Sequence, residues 1–258
     1  MKTRNIFYSV LLLSAVTVLF TSCSEFAQKV AMKALEGTQA YEKEDTVKWG
    51  PVVEQDLDLP AFKAVDAKGV VRIVFTQDTV CSVRVRGNEK CIAEYRFEVK
   101  KNELKVEPRD FNGSVQKSTP SVTLYISAPN LSDVEFSGAG KLEMPGTMVL
   151  PGSLDVEVSG AGEICIDDLT VESLNIEMNG ASKCALAKVT ASDDIEIEVN
   201  GAGDVNANVF CQELSVELNG AGKAALSGEC KNLDCEENGA SKVDFSNLKV
   251  ADPQTEEE

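Results

Sequence analysis

The 258-residue sequence has no histidine, one tryptophan and four tyrosines. Without histidine, the chain lacks the Ser/His and Cys/His nucleophile pairs, the common zinc ligand sets and the side chain that most readily titrates near neutral pH. Sugar-binding platforms usually need aromatic side chains, and no tryptophan or tyrosine follows Tyr125. These absences argue against an enzyme.

Positive charge is also scarce. Lysine and arginine total 25 against 42 aspartates and glutamates, which gives a formal net charge of −17. Nucleic-acid binding requires clustered basic residues that displace phosphate counterions, so no nucleic-acid partner is expected. Water, cations and basic surfaces are the natural counterparts of such a chain.

The chain begins like an export signal. A basic start precedes an apolar run from Ile6 to Phe20, which is too short for a comfortable membrane span. The run ends in Thr21-Ser22-Cys23, and small residues before a cysteine resemble a bacterial lipobox. This resemblance implies cleavage before Cys23 and attachment to a membrane through acyl chains on Cys23. Ser24 resembles the outer-membrane sorting pattern. An ordinary signal peptide with a chance cysteine is the alternative.

A tether is predicted between this leader and the folded part. The stretch from Ala27 to Leu35 is helix-like, but the polar run after it favours a flexible tether over a docked helix. The predicted segments are a signal peptide at 1–22, a lipid-anchored tether at 23–48, a folded domain at 49–250 with repeats at 131–250, and an acidic tail at 251–258.

The first half of the folded domain has the chemistry of β-strands. Val70–Phe75, Val80–Arg86 and Val122–Ile126 are β-branched or alternate apolar with polar residues, which predicts strands. A turn is expected at Lys101-Asn102, and Asn88 to Tyr95 is long enough for one helical turn.

The second half is a repeat. Six related segments contain a Ser/Asn-Gly-Ala-Gly/Ser corner, and successive first glycines are 22, 20, 21, 19 and 19 residues apart. These glycines are Gly138, Gly160, Gly180, Gly201, Gly220 and Gly239. A period near twenty with strand chemistry predicts one coil of a β-solenoid per repeat, with neighbouring coils stacked to bury their apolar faces.

Alternation within each repeat assigns an inside and an outside. Leu154, Val156 and Val158 share one parity and should point inward, while the residues between them point outward. A second inward column follows the corner and a third, less regular one comes later, which predicts three short strands per coil and a triangular cross-section. Members of the later columns are Ile164, Cys184, Val205, Ala224 and Val243, then Val171, Val189 and Val209.

Two outward columns near the corner are predicted to be structural. Stacked asparagine amides hydrogen-bond along a column, and opposite charges on neighbouring strands contribute a few tenths of a kcal/mol each. The asparagines are Asn179, Asn200, Asn219 and Asn238. The charged column is Lys141, Glu163, Lys183, Asp204, Lys223 and Lys242.

A third outward column carries one sign only. In every repeat a glutamate lies three residues before the first glycine, and stacked coils would bring these carboxylates to a spacing of about 4.8 Å. The column is Glu135, Glu157, Glu177, Glu198, Glu217 and Glu236, and Asp155, Glu196 and Asp234 widen it. It is either a solvated ladder or a face that binds divalent cations, Ca²⁺ weakly, or a basic partner.

These segments resemble the head GIN domain family of auto-transporter adhesin head domains, which is common in Bacteroidota. Besides the SGAG and NGAG corners, the resemblance rests on the opening Val52 to Phe62, on Phe75-Thr76-Gln77, on Leu104-Lys105-Val106 and on Ala128-Pro129-Asn130-Leu131. It covers residues 49–248 and implies a mainly β fold, a right-handed single-stranded β-helix on an exported, often lipid-anchored protein. The family supplies no catalytic or cofactor-binding residues. With the leader, it predicts a lipoprotein of the cell envelope, in the outer membrane.

The sequence leaves three functions to consider for this protein. The first is a non-catalytic binding or scaffold module, adhesin-like, for an unidentified protein or glycan. The second is a polysaccharide-active β-helix enzyme, but glycoside hydrolysis needs two carboxylates placed once in a cleft, and here the carboxylates repeat. The third is a weak divalent-cation-binding solenoid, although the calcium motif of known solenoids is absent, because lysine occupies its place in four of six coils.

The cysteines leave one pairing open. With Cys23 assigned to lipid, seven remain, an odd number that cannot all pair within one chain. Cys211 and Cys230 occupy the same place in adjacent coils, where a disulfide is geometrically feasible and export favours oxidation. The alternative is two stacked free thiols.

Overall fold

The computed structural model describes residues 49–110, 113 and 120–251. The predicted signal peptide, the lipidation site Cys23, the tether and the acidic tail beyond Ala251 lie outside the described residues.

The described chain is built almost entirely of β-strands that join in one sheet. The first half contains β1 (Val52–Leu57), β2 (Ala64–Gln77), β3 (Ser82–Asn88), α1 (Glu89–Ala93), β4 (Tyr95–Lys100), β5 (Glu103–Pro108) and β6 (Ser121–Ala128). The second half contains β7 (Asp133–Val149), β8 (Leu154–Val171), β9 (Leu174–Ala191), β10 (Asp194–Gly220), β11 (Lys223–Gly239) and β12 (Lys242–Val250).

The second half is a β-solenoid of about six turns, as the repeat predicted. Strands β7 to β12 pair in parallel, each with the next, and the corner glycines stack directly on one another, as in the pairs Gly138↔Gly160 and Gly160↔Gly180. The coils are held by backbone hydrogen bonds between equivalent residues, so one sequence repeat corresponds to one rung.

The inside and outside assignment is confirmed. Ile176 and Ile197 are directly paired and fully buried, whereas the glutamate that follows each of them reaches the surface. Burying one such side chain contributes about 1.5–3 kcal/mol, and stacking places these side chains in continuous columns. The two later columns are buried as well: Ile164, Cys184, Val205, Ala224 and Val243, then Val171, Val189 and Val209.

The corners require glycine. The first glycine of five corners has φ between 129° and 139°, a conformation that L side chains rarely adopt. A Cβ at Gly180 would also collide with the carbonyl oxygen of Gly160 in the coil below. The predicted tight corner is therefore fixed by both the backbone conformation and the rung spacing.

The solenoid begins one coil earlier than the six recognised repeats. Strand β2 pairs in parallel with β7 over the whole corner, with Gly69 against Gly138 and Val65 against Val134. On its other edge β2 pairs in parallel with β5 and β6, which form a further, split rung. In the sequence, β3 to β6 separate β2 from β7, so β2 does not continue the regular spacing of the repeats.

The start of the stack is covered by antiparallel strands. β6 pairs with β3 and β3 with β1, both antiparallel, so the parallel stack ends in two antiparallel strands that are not consecutive in sequence. The predicted turn at Lys101-Asn102 joins β4 to β5, and both turn residues have positive φ. The predicted helical turn is α1, whose Cys91 and Ile92 are buried.

Candidate functional site

The acidic face is the column of six glutamates, Glu135, Glu157, Glu177, Glu198, Glu217 and Glu236. The structure pairs Glu135 with Glu157, Glu157 with Glu177, Glu177 with Glu198 and Glu217 with Glu236, and the bond from Asn219 to Asn200 joins the coils of Glu198 and Glu217 in the same register. The first five are half-buried and Glu236 is exposed. The stacking of like charges predicted from the sequence is thus present in the fold.

The column is one carboxylate longer than the sequence predicted. Asp66 pairs with Glu135, and on its other side Asp66 pairs with Lys105. Asp66 is 5% exposed, and its Oδ2 accepts Lys105 Nζ at 3.0 Å and lies 3.3 Å from Lys68 Nζ. A cationic pair therefore terminates the column at its first rung.

The position of Asp66 had a signal in the sequence. Val65-Asp66-Ala67 has the same apolar–acid–apolar order as Val134-Glu135-Phe136. The segment was not recognised as a repeat because only Gly69 of its corner follows the SGAG or NGAG pattern.

A second column widens the acidic face. Its members pair in register and lie two residues before those of the first column, on the same side of each strand. They are Asp133, Asp155, Asn175, Glu196, Ser215 and Asp234, of which Asp155, Glu196 and Asp234 were predicted. The highest density of carboxylates lies at the first coils, where Asp133 and Asp155 flank Glu135 and Glu157.

The stacked asparagines hold the glutamates in place. Each side-chain amide donates to the asparagine of the preceding coil: Asn200 to Asn179 at 3.0 Å, then Asn219 to Asn200 and Asn238 to Asn219 at 2.9 Å. The side-chain amides of Asn179, Asn200 and Asn219 donate to the glutamate two residues earlier in their own coil, Glu177, Glu198 and Glu217, at 2.6–2.7 Å. The predicted amide ladder is confirmed. It also orients the carboxylates of Glu177, Glu198 and Glu217, an effect that the sequence did not predict.

At the first rungs of the acidic face, burial and repulsion between carboxylates disfavour the ionised form of Glu135 and Asp133. Partial burial, then the charges of Asp66 and Glu157, raise the pKa of Glu135. Partial burial and the charge of Asp155 raise the pKa of Asp133. Both shifts mean that the ionised face is less stable at this end than separate carboxylates in water would be.

The neighbouring face carries paired charges instead. Lys141 Nζ lies 2.9 Å from Glu143 and 3.3 Å from Glu163, and Arg72 Nε donates to Glu143 at 2.7 Å. The predicted column from Lys141 to Lys242 is in register throughout. Burial lowers the pKa of Lys141, but its pairing with Glu143 and Glu163 outweighs burial and raises it. The ion pair between Lys141 and Glu163 joins two neighbouring coils of this column.

Neither a metal centre nor a membrane helix is found in the part of the chain that the structure describes. No three of its acidic or cysteine side chains are grouped so that they could hold one metal ion. None of its helices is long and apolar enough to cross a membrane.

The two cysteines singled out by the sequence are adjacent. Cys211 and Cys230 pair directly between β10 and β11, and both are free thiols in the structure. Burial, then the neighbouring Cys230, raises the pKa of Cys211 to about 12. Cys184 is fully buried in the core, as predicted for a small hydrophobic residue.

Comparison with known proteins agrees with this architecture. The family described as "Putative auto-transporter adhesin, head GIN domain" matches residues 61–190 and 184–255. The chain belongs to this family. No curated protein matches it significantly.

Two solved structures share the fold. A protein described as a putative adhesin from Bacteroides fragilis NCTC 9343 is 20% identical, covers 75% of this chain and 96% of its own length, and superposes with a TM-score of 0.58. A second putative adhesin, from Parabacteroides distasonis ATCC 8503, is 14% identical, covers 78% of this chain and 97% of its own length, and has a TM-score of 0.50.

Proposed function

We propose that this protein is a non-catalytic, lipid-anchored module of the cell envelope that binds a basic partner surface through its acidic face. The observation that carries the proposal is the in-register column of glutamates, three of which, Glu177, Glu198 and Glu217, are oriented by the asparagine ladder. Membership of a family named for adhesin heads supports a role in attachment.

The arrangement has an electrostatic cost. Like charges directly opposite on neighbouring strands are unfavourable, and two charges 4.8 Å apart repel by about 0.9 kcal/mol in bulk water before salt screening. The neighbouring face avoids this cost by alternating lysine with acid. A basic partner would reduce the repulsion between neighbouring glutamates along the whole column. Binding would therefore be strongest where the glutamates are stacked without interruption.

The fixed carboxylates also suit recognition. Asn179, Asn200 and Asn219 hold one oxygen of their glutamates, so little side-chain freedom remains to be lost on binding. A row of anions at the rung spacing of about 4.8 Å suits a partner surface on which lysines and arginines are clustered, because alternate side chains of a single extended strand, about 6.6 Å apart, do not match that spacing.

The polysaccharide-active enzyme gains no support. The carboxylates of the acidic face repeat from coil to coil, whereas glycoside hydrolysis requires one pair in distinct environments. The aromatic side chains Tyr125 and Phe210 are partly exposed but lie on different strands, β6 and β10.

The proposal is tested by binding of the purified protein to cells that lack it. A face variant carries Glu157, Glu177, Glu198 and Glu217 as glutamine. A control variant removes four charges from exposed acids off this face, Asp58, Glu172, Asp193 and Glu229, as the corresponding amides. Loss of cell binding in the face variant alone is expected. Equal loss in both variants, or none in either, would contradict a role for the acidic face.

The anchor is tested separately. Cys23→Ala should move the protein from the membrane fraction to a soluble fraction, because acylation of Cys23 supplies the proposed attachment. Unchanged detergent partitioning of the variant would contradict the lipoprotein assignment.

Calcium is the alternative ligand of the same face. Carboxylate oxygens suit Ca²⁺, and a bound ion would raise the melting temperature by mass action. Thermal unfolding with and without millimolar Ca²⁺ at fixed ionic strength distinguishes the two: a rise in wild type that vanishes in the face variant supports cation binding. No effect on wild type, with a more stable face variant, would exclude it.

A further inference from the structure

The two ends of the solenoid differ. The first coil is covered by β6, β3 and β1, whereas no described strand pairs with the outer edge of the last coil, which is formed by the second half of β11 and by β12. An open parallel edge presents unpaired backbone groups and the end of the apolar core.

Core positions are uncovered at this end. Val250 pairs with Cys230, which is 1% exposed, yet Val250 itself is 42% exposed, and Phe245 is 49% exposed. Leu233, Cys235 and Leu248 also lie at the end of the core and are only partly buried. Leu233, Cys235, Phe245, Leu248 and Val250 together form the terminal rim. An apolar rim beside unpaired backbone is a typical docking surface.

Glu237 occupies the third inward position of this coil. In the coil below, the same position is Leu218, which is 1% exposed. Glu237 Oε1 accepts the backbone N–H of Val243 at 2.8 Å, so the carboxylate folds over the open end and occupies one of its donors. An inward-pointing charge is a known means of weakening an edge against association.

We propose that the terminal rim is a docking surface for a second copy of this chain, joined end to end about a two-fold axis, and that Glu237 limits the strength of the contact. A two-fold axis pairs the edge with itself in antiparallel order, which is the arrangement that identical edges permit.

The charges of the edge favour this occupant. Residues 231–239 carry one lysine against three acids, and residues 242–250 carry two lysines against one acid. A two-fold axis through the corner between these stretches sets the acidic stretch of one copy against the basic stretch of the other. Residues 252–258 of the same chain contain Pro253 as their one apolar residue, and their four acids would repel Glu236 and Glu237.

The test measures self-association of the full-length chain by sedimentation over a range of concentrations. Glu237→Leu restores the residue of the interior coils and should strengthen dimerisation by at least about tenfold, because it buries an apolar side chain in place of a charge. Glu172→Leu is the matched control: it makes the same chemical change at an exposed glutamate of an interior coil, away from the terminal edge, and should leave association unchanged. Adding Val250→Lys to Glu237→Leu should return the protein to monomer.

Hydrogen exchange locates the contact. The expected result is protection of residues 231–250 that increases with protein concentration and is greater in Glu237→Leu than in wild type. A monomeric Glu237→Leu, equal association of both leucine variants, or growth beyond a dimer would overturn the proposal. Concentration-independent protection of the edge would also overturn it, because the chain's own residues would then cover the rim.

Discussion

Single residues on one strand divide between the core and the surface with a period of two. Ile197 is fully buried and pairs with Ile176, whereas Glu198 reaches solvent and accepts the Asn200 amide at 2.6 Å. The parity was predictable from the sequence because each coil repeats it. The hydrogen bond to Glu198 was not, since the i, i+2 contact depends on how the stacked amides orient.

The core assignment predicts unequal effects of two adjacent truncations. Ile197→Ala should lower the free energy of unfolding by about 2–5 kcal/mol, because it leaves a cavity in a packed column. Glu198→Ala should change it by no more than about 1 kcal/mol, since a lost hydrogen bond is offset by relief of like-charge repulsion. Denaturant unfolding measures both. Equal destabilisation would mean that the inside and outside are wrongly assigned.

The corner glycines predict a second contrast. Gly180→Ala should destabilise the protein strongly, by more than about 2 kcal/mol, because φ is 132° and the new Cβ would strike the Gly160 carbonyl oxygen. Gly146→Ala is the control: φ is also positive, 81°, but no heavy atom would lie within 4 Å of its Cβ. Its cost should be limited to backbone strain of about 1 kcal/mol. Similar melting temperatures for the two variants would contradict close rung stacking at the corner.

At the scale of the strand, β7 carries two glutamates with opposite electrostatic environments. The pKa of Glu135 is raised by burial, then by Asp66 and Glu157. Burial would raise the pKa of Glu143, but hydrogen bonds from Lys141 and Arg72 outweigh it and lower the pKa. Glu135 therefore stabilises the fold in its protonated form and Glu143 in its ionised form.

The pH dependence follows from these directions. The contribution of Glu135 is fully present below its ordinary pKa of 4.5 and is lost as pH rises through its higher folded pKa. Glu135→Gln should thus raise stability at pH 7, by up to about 1 kcal/mol because the group is largely exposed, with a gain that fades toward pH 4. The contribution of Glu143 is present above 4.5 and is lost as pH falls through its lower folded pKa, so Glu143→Gln should destabilise at pH 7. Chemical denaturation from pH 4 to 7 checks both; effects of the same sign would refute the assignment.

The stacked thiols give a prediction about β10 and β11. Cys211 and Cys230 are directly paired, about 4.8 Å apart along the stack, which is near the short limit of Cα separation for a disulfide. Export to an oxidising compartment predicts a bond between them, formed slowly because burial raises the pKa of both thiols. Mass spectrometry of a non-reduced digest should find the linked peptides. Complete alkylation of both thiols in the folded, exported protein would exclude the bond.

Elements with the repeated corner were predictable from the sequence, and β2 was not. The six later coils keep Gly-Ala at the corner because stacked backbones leave no room there, so the letters themselves repeat. At β2 the corner is Lys68-Gly69-Val70, and the Tyr95 hydroxyl accepts the Val70 N–H at 3.0 Å. This first coil pairs with the repeat strand β7 on one edge, but on its other edge it pairs with β5 and β6, which are not repeats, so its residues match a different partner there.

At the scale of the whole molecule, the faces of the solenoid differ in charge, and its two ends differ in whether other strands cover them. One face concentrates carboxylates, the next alternates lysine with acid until the final pair Lys223 and Lys242, one end is covered by antiparallel strands, and the other exposes the terminal rim. The acidic column was predictable because it recurs at a fixed offset from each corner. Asp66 and Glu237 left signals in the sequence, but the place of Asp66 at the start of the column and the exposure of the rim depend on which strands pair at the ends of the stack.

The most direct measurement is a calorimetric titration of the purified protein with a lysine-rich peptide, at several salt concentrations, for wild type, the face variant and the charge-matched control variant. Wild type and control should bind with an affinity that falls as salt rises, and the face variant should bind at least about tenfold more weakly, since four aligned charges are lost from one surface. Equal affinity of the face and control variants would show that net charge alone attracts the peptide and that the glutamate column is only a solvated ladder.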